Sequence, residues 1–304
     1  MKAIEVYGLK KEYNSIVAVD DISFSVEEGS IFGMLGPNGA GKSTTIECII
    51  GLRKKDNGDV KILGLDPIKD NSKLYNLIGV QLQETSYQDK IRVSELCDLF
   101  MSMYDEPLDY IPLLERFGLL EKKKNYMSEL SGGQRQKIAI ILALIANPKI
   151  VFLDELTTGL DPKARREMWK CIRELRDEGR TIFMTTHYLE EAEYLCDEIC
   201  IINNGEIVAI DNISGIIDRA NIDIIVSFET KEEVASLIKE NITGVSKIER
   251  LNNMVKVYSK RDDIISDIVI LLRNKNIDYS RIDVIRPTLE DAYLKLTGKE
   301  WEVK

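Results

Sequence analysis

Apolar residues in the first 35 positions fall in short alternating bursts. Ile4 and Val6, then Ile22, Phe24 and Val26, mark half-buried strands broken at Gly8, Asn14 and Gly29. Residues 31–35 form a continuous apolar run, the pattern of a parallel strand buried on both faces. The period then changes: residues 43–50 predict a helix closed by Gly51. Helical spacings recur in Val93-Leu96-Phe100 and Ile111-Leu114-Phe117, so the stretch from residue 84 to 130 predicts an inserted helical subdomain. Ser131 and Gln134 form an S-x-x-Q capping box. The apolar stripe Ile138, Ile141, Leu142 and Ile145 follows, and Asn147-Pro148 stops it, which carries the helical insertion to about residue 147. Residues 150–153 predict a buried strand. Asp161 and Pro162 open a helix that turns Met168, Cys171, Ile172 and Leu175 inward and ends at Gly179. Residues 181–185 predict another strand, and Asn203-Asn204-Gly205 a hairpin turn between strands at 199–202 and 206–210. Strands alternating with helices imply an α/β fold, a mostly parallel sheet with helices on both faces.

Past Ser214-Gly215 the order changes. A strand at 224–228, a helix at 231–239, strands at 245–251 and 254–258 around Asn252-Asn253, a helix at 262–273 and a strand at 279–285 give β-α-β-β-α-β. That is the split βαβ order of ferredoxin-like α+β domains. A last helix, 288–296, opens with Thr288 and Asp291 as a capping box. The expected division is 1–214 and 215–304, with no internal repeat or low-complexity tract.

Composition narrows the function. At 304 residues, 44% hydrophobic and 30% charged, the chain is of ordinary globular type. Its net charge of −10 is concentrated in residues 1–214, which hold 26 basic and 35 acidic side chains. Neither part is a basic arm, so no nucleic-acid partner is expected. The longest strongly apolar run is nine residues, 138–146, against the ~20 that span a bilayer. The N-terminus lacks a basic-then-apolar signal pattern. A soluble protein is expected, with any membrane role exercised through a partner. Cys48, Cys97, Cys171, Cys196 and Cys200 show no CxxC pair and predict free thiols in a reducing cytosol; Cys196 and Cys200 would share a face if helical.

The candidate chemistry lies at strand ends. Gly36-Pro37-Asn38-Gly39-Ala40-Gly41-Lys42-Ser43 is G-x-x-x-x-G-K-S, between an apolar strand and a helix. Its glycines let backbone N–H groups approach a phosphate chain, Lys42 supplies a charge and Ser43 a hydroxyl for Mg²⁺. Asp154 ends a buried strand, where a carboxylate can hold Mg²⁺, and Glu155 beside it can orient or deprotonate water. His187 is the chain's single histidine. It follows another buried strand at the edge where α/β sheets bind ligands, and it can donate to a phosphate or to the attacking water. Leu130-Ser131-Gly132-Gly133-Gln134 forms a second helix N-terminus suited to an anion.

In this order the motifs resemble the nucleotide-binding subunits of ATP-binding-cassette (ABC) transporters, over residues 1 to about 214. The resemblance implies a P-loop ATPase domain. Tyr13 would stack on adenine, Gly36 to Thr44, including Ala40 and Thr44, would form the Walker A loop, and Gln83 would link Mg²⁺ and water to a membrane partner. Ser131, Gly132, Gly133 and Gln134 would be the signature, Asp154 and Glu155 Walker B and the catalytic glutamate, Asp161 the D-loop aspartate, and His187 the switch histidine. Two positions depart from the pattern. Leu156 stands where proline commonly follows the glutamate, which implies a less rigidly set backbone. Gln81 rivals Gln83; both would share a strand face, and Gln83 is preferred because Glu84 follows it.

The segment Pro287-Thr288-Leu289-Glu290-Asp291-Ala292-Tyr293-Leu294-Lys295-Leu296-Thr297-Gly298 resembles the closing helix of cassette subunits that serve multidrug, antibiotic-resistance and related exporters. Together these imply an ATPase subunit on the inner face of the cell membrane, driving export through a separate integral permease. Two copies, or one copy and a paralogue, would sandwich two Mg·ATP, each signature acting in trans, so a monomer would bind ATP but hydrolyse it poorly. A soluble ABC ATPase acting on ribosomes or DNA is the alternative. Against it stand a single cassette, only 112 residues from Lys42 to Asp154, and no sustained heptads. A nucleotide-gated switch with little turnover is a third reading, opposed by the complete catalytic set. For the tail, a packing or dimer-stabilising appendage is expected ahead of a ligand-reading domain.

Overall fold

The computed structural model describes residues 1–14, 16–83, 87–88 and 90–298. Glu84, where the sequence pattern opens the helical insertion, lies outside them. The chain divides into two compact units, one of Met1–Ile213 and a second beginning at Ser214.

The first unit opens with two long strands, β1 (Lys2–Tyr13) and β2 (Ile16–Glu27). β1 runs on through Gly8, contrary to the expected break. Gly8 takes φ 58° and the β1–β2 register shifts between Val6 and Leu9, so this glycine makes a bulge and does not end the strand. Then come β3 (Ile31–Leu35), α1 (Lys42–Ile49), β4 (Asn57–Ile62), α2 (Asn71–Tyr75) and β5 (Ile78–Gln81). The helical insertion holds α3 (Val93–Met101), α4 (Tyr110–Arg116) and α5 (Gly132–Ile145). Returning to the core are β6 (Ile150–Asp154), α6 (Pro162–Asp177), β7 (Thr181–Thr186), α7 (Leu189–Leu195), β8 (Glu198–Asn203) and β9 (Glu206–Asp211). β4, α2 and β5 form without a clear periodic signal in the sequence.

β1 is the centre of an antiparallel sheet in the order β2-β1-β4. A second sheet runs β5-β6-β7-β3-β8-β9, parallel except for the β8–β9 hairpin. That hairpin turns through Asn204 and Gly205, both at positive φ, as a tight turn requires. Helix α1 contacts β1, β2 and β6, which packs it between the two sheets. The core there includes Ile4, Val6, Ile46, Ile49 and a run of rings. Phe24 stacks on Phe32 at 5.3 Å, Phe32 on Phe183 at 5.4 Å, and Phe152 meets Phe183 at 5.6 Å. Such ring pairs add about 0.5–1.5 kcal/mol each beyond their burial. Alternation along β3 sends Gly33 to the opposite face from Phe32 and Met34. A Cβ on Gly33 would meet Cys196 Sγ at 2.3 Å, so its missing side chain is what lets the end of α7 close on the sheet.

Three sequence expectations change here. Every residue from Ile138 to Ile145 in α5 is buried, not only the stripe, because α3, α4 and β5 all contact this helix. In α6, Trp169 joins Met168, Ile172 and Leu175 in the buried set, while Cys171 is only half-buried. Cys196 is the cap residue after α7 and Cys200 lies in β8, so they do not share a helix face. All five cysteines are free thiols.

The second unit contains α8 (Ile213–Ala220), β10 (Ile224–Glu229), α9 (Ala235–Asn241), β11 (Val245–Leu251), β12 (Met254–Ser259), α10 (Ile264–Asn274), β13 (Ser280–Ile285) and α11 (Leu289–Thr297). Its sheet is antiparallel in the order β11-β12-β10-β13, with the split βαβ connectivity. Val226, Phe228, Val257, Ile238, Ile268 and Leu272 build its core. α9 starts four residues later than the pattern suggests. Thr230 Oγ1 accepts from Glu232 N–H and donates to the Asp278 carbonyl, which holds 231–234 as a turn.

Candidate functional site

The parallel strands β5, β6, β7 and β3 end along one edge of the sheet, where register sets Asp154 beside Thr185 and Leu35 beside Thr186. The loop leaving β3 turns directly into α1. Gly41 caps that helix at φ 104°, and a Cβ on it would lie 2.3 Å from the Ala18 carbonyl oxygen. Gly36 is equally confined: its Cβ would meet the Ile202 carbonyl at 2.4 Å. Both glycines are therefore fixed by close backbone approach. Asn38, Gly39, Gly41, Lys42, Ser43 and Thr44 line a cavity of about 260 Å³, together with Ala18, Gln83 and Glu155. The first-turn N–H groups of α1 have no preceding turn to bond and offer an anion host. Gly36, Pro37 and Ala40 do not line the cavity; they support it, the Gly36 and Pro37 carbonyls accepting from Lys42 Nζ at 2.8 and 3.1 Å.

Glu155 is the focus of the site. It sits at φ 48°, just past the end of β6, and is 7% exposed. Lys42 Nζ lies 3.0 Å from its Oε1; Gln83 Nε2 donates to Oε2 at 2.9 Å, and His187 Nδ1 lies 3.3 Å from the same oxygen. Burial pushes the Glu155 carboxyl up, but the hydrogen bond from His187 and the charge of Lys42 outweigh it and hold it at about 2. Asp154 faces the other way. It accepts from Thr185 Oγ1 and from the Ser43 hydroxyl, and burial raises its carboxyl despite those bonds. Two adjacent acids thus have opposite environments, one bound to cationic and amide donors and one to hydroxyls.

Gln83, not Gln81, meets this centre. β5 ends at Gln81, so the two glutamines do not share a strand face. Gln81 is buried, and its Nε2 donates to the Leu82 carbonyl at 2.6 Å. Leu156 is buried in a turn closed by the Thr158 N–H to the Glu155 carbonyl at 3.1 Å, so proline is not needed to define the chain there. Tyr13 does not line the cavity. Its ring carries Lys11 Nζ at 5.1 Å and Arg53 Cζ at 5.7 Å from the centroid.

None of the signature residues Ser131, Gly132, Gly133 and Gln134 lines the P-loop cavity, but Gly132 lines a neighbouring one with Gln83 and Glu155. Ser131 and Gln134 form the expected reciprocal cap, Ser131 N–H to Gln134 Oε1 at 3.0 Å and Gln134 N–H to Ser131 Oγ at 3.3 Å. Asp161 caps α6, accepting from the Lys163 and Ala164 N–H groups at 3.0 Å each. Sequence reasoning missed Glu191 and Thr185. Glu191 is a charged residue at an inward position of α7, and Thr185 reads from the sequence only as strand.

Residues 19–158 match the ABC transporter family. The chain is 31% identical to the daunorubicin resistance ATP-binding protein DrrA3 of Streptomyces coeruleorubidus, over 99% of this chain and 98% of that protein. It is 31% identical to the linearmycin resistance ATP-binding protein LnrL of Bacillus subtilis, covering 97% and 98%. Identity to the Nod factor export ATP-binding protein I of Rhizobium sp. (strain N33) is 34%, covering 99% and 98%. Among solved structures, an ATP-binding subunit of an ABC transporter superposes with a TM-score of 0.66 at 28% identity, over 72% of this chain and 93% of that one. A nucleotide-free cassette from an ABC transporter gives 0.63 at 26%, covering 70% and 92%. With its P-loop cavity and the paired acids at the sheet edge, this chain belongs to the ABC transporter family as one of its ATP-binding subunits, an ATPase.

Proposed function

We propose that this ATPase powers export through a separate membrane permease, with Glu155 as the base that takes a proton from the attacking water. The observation that carries the site assignment is the convergence of Lys42, Gln83 and His187 on Glu155 at the mouth of the P-loop cavity. A carboxylate held at about 2 is a weak base. When Lys42 turns from Glu155 to the outer phosphates, a cation leaves the carboxylate and its basicity rises toward the range useful for proton transfer. Substrate phosphate thereby arms the base. His187 and Gln83 hold Glu155 and the water in line, and Lys42 meets the charge developing on the transferred phosphoryl group.

The residues present also suit Mg²⁺. The Ser43 hydroxyl bonds Asp154, and Gln83 lines the same cavity, a small set of hard oxygen donors. Ser43, Asp154 and Gln83 would hold Mg²⁺ directly or through water, and the ion would supply neutralisation of phosphate charge. Among the described residues no group of three or more His, Cys, Asp or Glu could form an all-protein cage, which fits such a site.

Support for a trans signature comes from α5. Ser131 and Gly132 are exposed, and a Cβ on Gly132 would meet nothing within 4 Å, so its own chain does not require glycine there. A second cassette's triphosphate is the partner this helix start fits. Export is supported by the drug-resistance and Nod factor export relatives. A membrane partner is supported by the same relatives, named for drug resistance or export; among the described residues no helix is long and apolar enough to cross a membrane. The cytoplasmic face of the membrane follows as the working location.

Glu155→Gln tests the assignment. Steady-state phosphate release is expected to fall about 10²–10⁴-fold, while ATP binding persists and ATP-dependent dimers accumulate in light scattering. Rapid turnover in that variant would overturn it.

A further inference from the structure

Glu191 lies in the first turn of α7, is 1% exposed and does not line the phosphate cavity. Its Oε1 accepts from Thr157 Oγ1 and from Trp169 Nε1, both at 2.8 Å, and the Thr186 hydroxyl bonds the same carboxylate. These partners are not scattered. Thr157 is two residues past Glu155, in the turn that starts with Glu155 at φ 48°. Thr186 immediately precedes His187, and its Oγ1 also accepts from the Tyr188 N–H at 2.9 Å, fixing the chain on the far side of His187. Trp169 anchors the group to α6. The Arg165 guanidinium, whose charge favours the ionised Glu191, lies 4.1 Å from the centroid of the Tyr188 ring.

A buried carboxylate is an expensive way to fill space. An apolar side chain would pack there without desolvating a charge. What an apolar side chain cannot do is hold three donors from three elements at fixed directions. Two of those donors flank the two residues whose 3.3 Å contact is the centre of the proposed chemistry.

We propose that Glu191 is a positioning residue for ATP hydrolysis: by clamping Thr157 and Thr186 it fixes Glu155 and His187 relative to each other. It does not line the P-loop cavity, so its effect falls on kcat and not on nucleotide affinity. The proposal rests on the roles given above to Glu155 and His187.

The test uses the full chain, with ATP turnover and ADP binding measured at a temperature where each variant is folded by circular dichroism. Glu191→Ala is expected to lower kcat about 10- to 100-fold, the scale of a misplacement near 1 Å. The KM for ATP and the Kd for ADP should stay within about threefold, a split a general loosening would not give. Glu191→Gln keeps the Oε1 acceptor for Thr157 and Trp169 and should return kcat to within a few-fold of wild type. Thr157→Val removes one arm of the clamp; it should lower kcat by itself and add little to Glu191→Ala. If Glu191→Ala does not fold, Thr157→Val carries the test, with reduced kcat at unchanged ADP affinity as the expected result. Unchanged kcat in the folded variants, or parallel losses of kcat and ADP affinity, would overturn the proposal. Glu155→Gln is the control. Full turnover there means that the site assignment has failed; slow turnover there with normal Glu191 and Thr157 variants means that only the clamp has failed.

Discussion

The two units bury different things. In the first, Lys42, Asp154, Glu155, His187 and Glu191 are all buried, in one neighbourhood at the sheet edge. In the second, the buried polar side chains among the described residues are the hydroxyls Ser227, Thr230 and Ser259, with no buried charge. Desolvating an ion costs several kcal/mol unless it is paired and bonded. The first unit accepts that cost at the sheet edge where the proposed function sets phosphate and water. The second is an antiparallel sheet over an apolar core that includes Val226, Phe228, Val257 and Ile268.

That contrast can be broken experimentally. The largest expected effect is on pH dependence. Glu155 is held below its ordinary 4.5, at about 2, so its ionisation stabilises the fold fully above 4.5, and that contribution is lost as pH falls from 4.5 toward 2. A depression of this size is worth on the order of 3 kcal/mol. Urea unfolding at pH 5 and at pH 2.5 should therefore show a steeper acid loss in wild type than in Glu155→Gln. Equal losses would mean that the buried cluster does not hold the carboxylate as described. Next is Lys42→Ala, which removes the charge that the proposed function brings to phosphate. A charge-assisted hydrogen bond of about 1.5–3 kcal/mol corresponds to roughly a 10- to 100-fold weaker Kd for ATP, measurable by calorimetry. The smallest effect belongs to the other unit. Ile268→Val in its core should lower stability by about 0.5–1.5 kcal/mol and leave ATP turnover unchanged; a fall in turnover would mean that the second unit bears on the chemistry.

Much of the site was legible from sequence because its signals are local. A glycine loop ending in Lys42-Ser43 after an apolar strand needs only neighbouring residues to specify it, as do the cap pairs Ser131–Gln134 and Thr288–Asp291, which form as the spacing implied. Other features needed the third dimension. The pattern preferred Gln83 to Gln81 only through the Glu84 that follows it and put both on one strand face, whereas β5 stops at Gln81 and leaves Gln83 beyond the strand. The stripe on α5 understated its burial, because burial on a helix's remaining faces depends on neighbours from elsewhere in the chain. Gly8 looked like a terminator and is a bulge, since the partner strand on each side of β1 carries the pairing past it.

The sequence by itself determined the family, the alternation of strands and helices, and the identity of the groups that can meet a nucleotide. It did so because P-loop, cap and strand-end chemistry is written in contiguous residues. Only the tertiary structure decided which donors surround each acid. Gln83 reaches Glu155 across 72 residues, and Thr157 reaches Glu191 across 34. Those meetings follow from the strand order β5-β6-β7-β3, which brings distant segments to one edge. No local periodicity encodes that order.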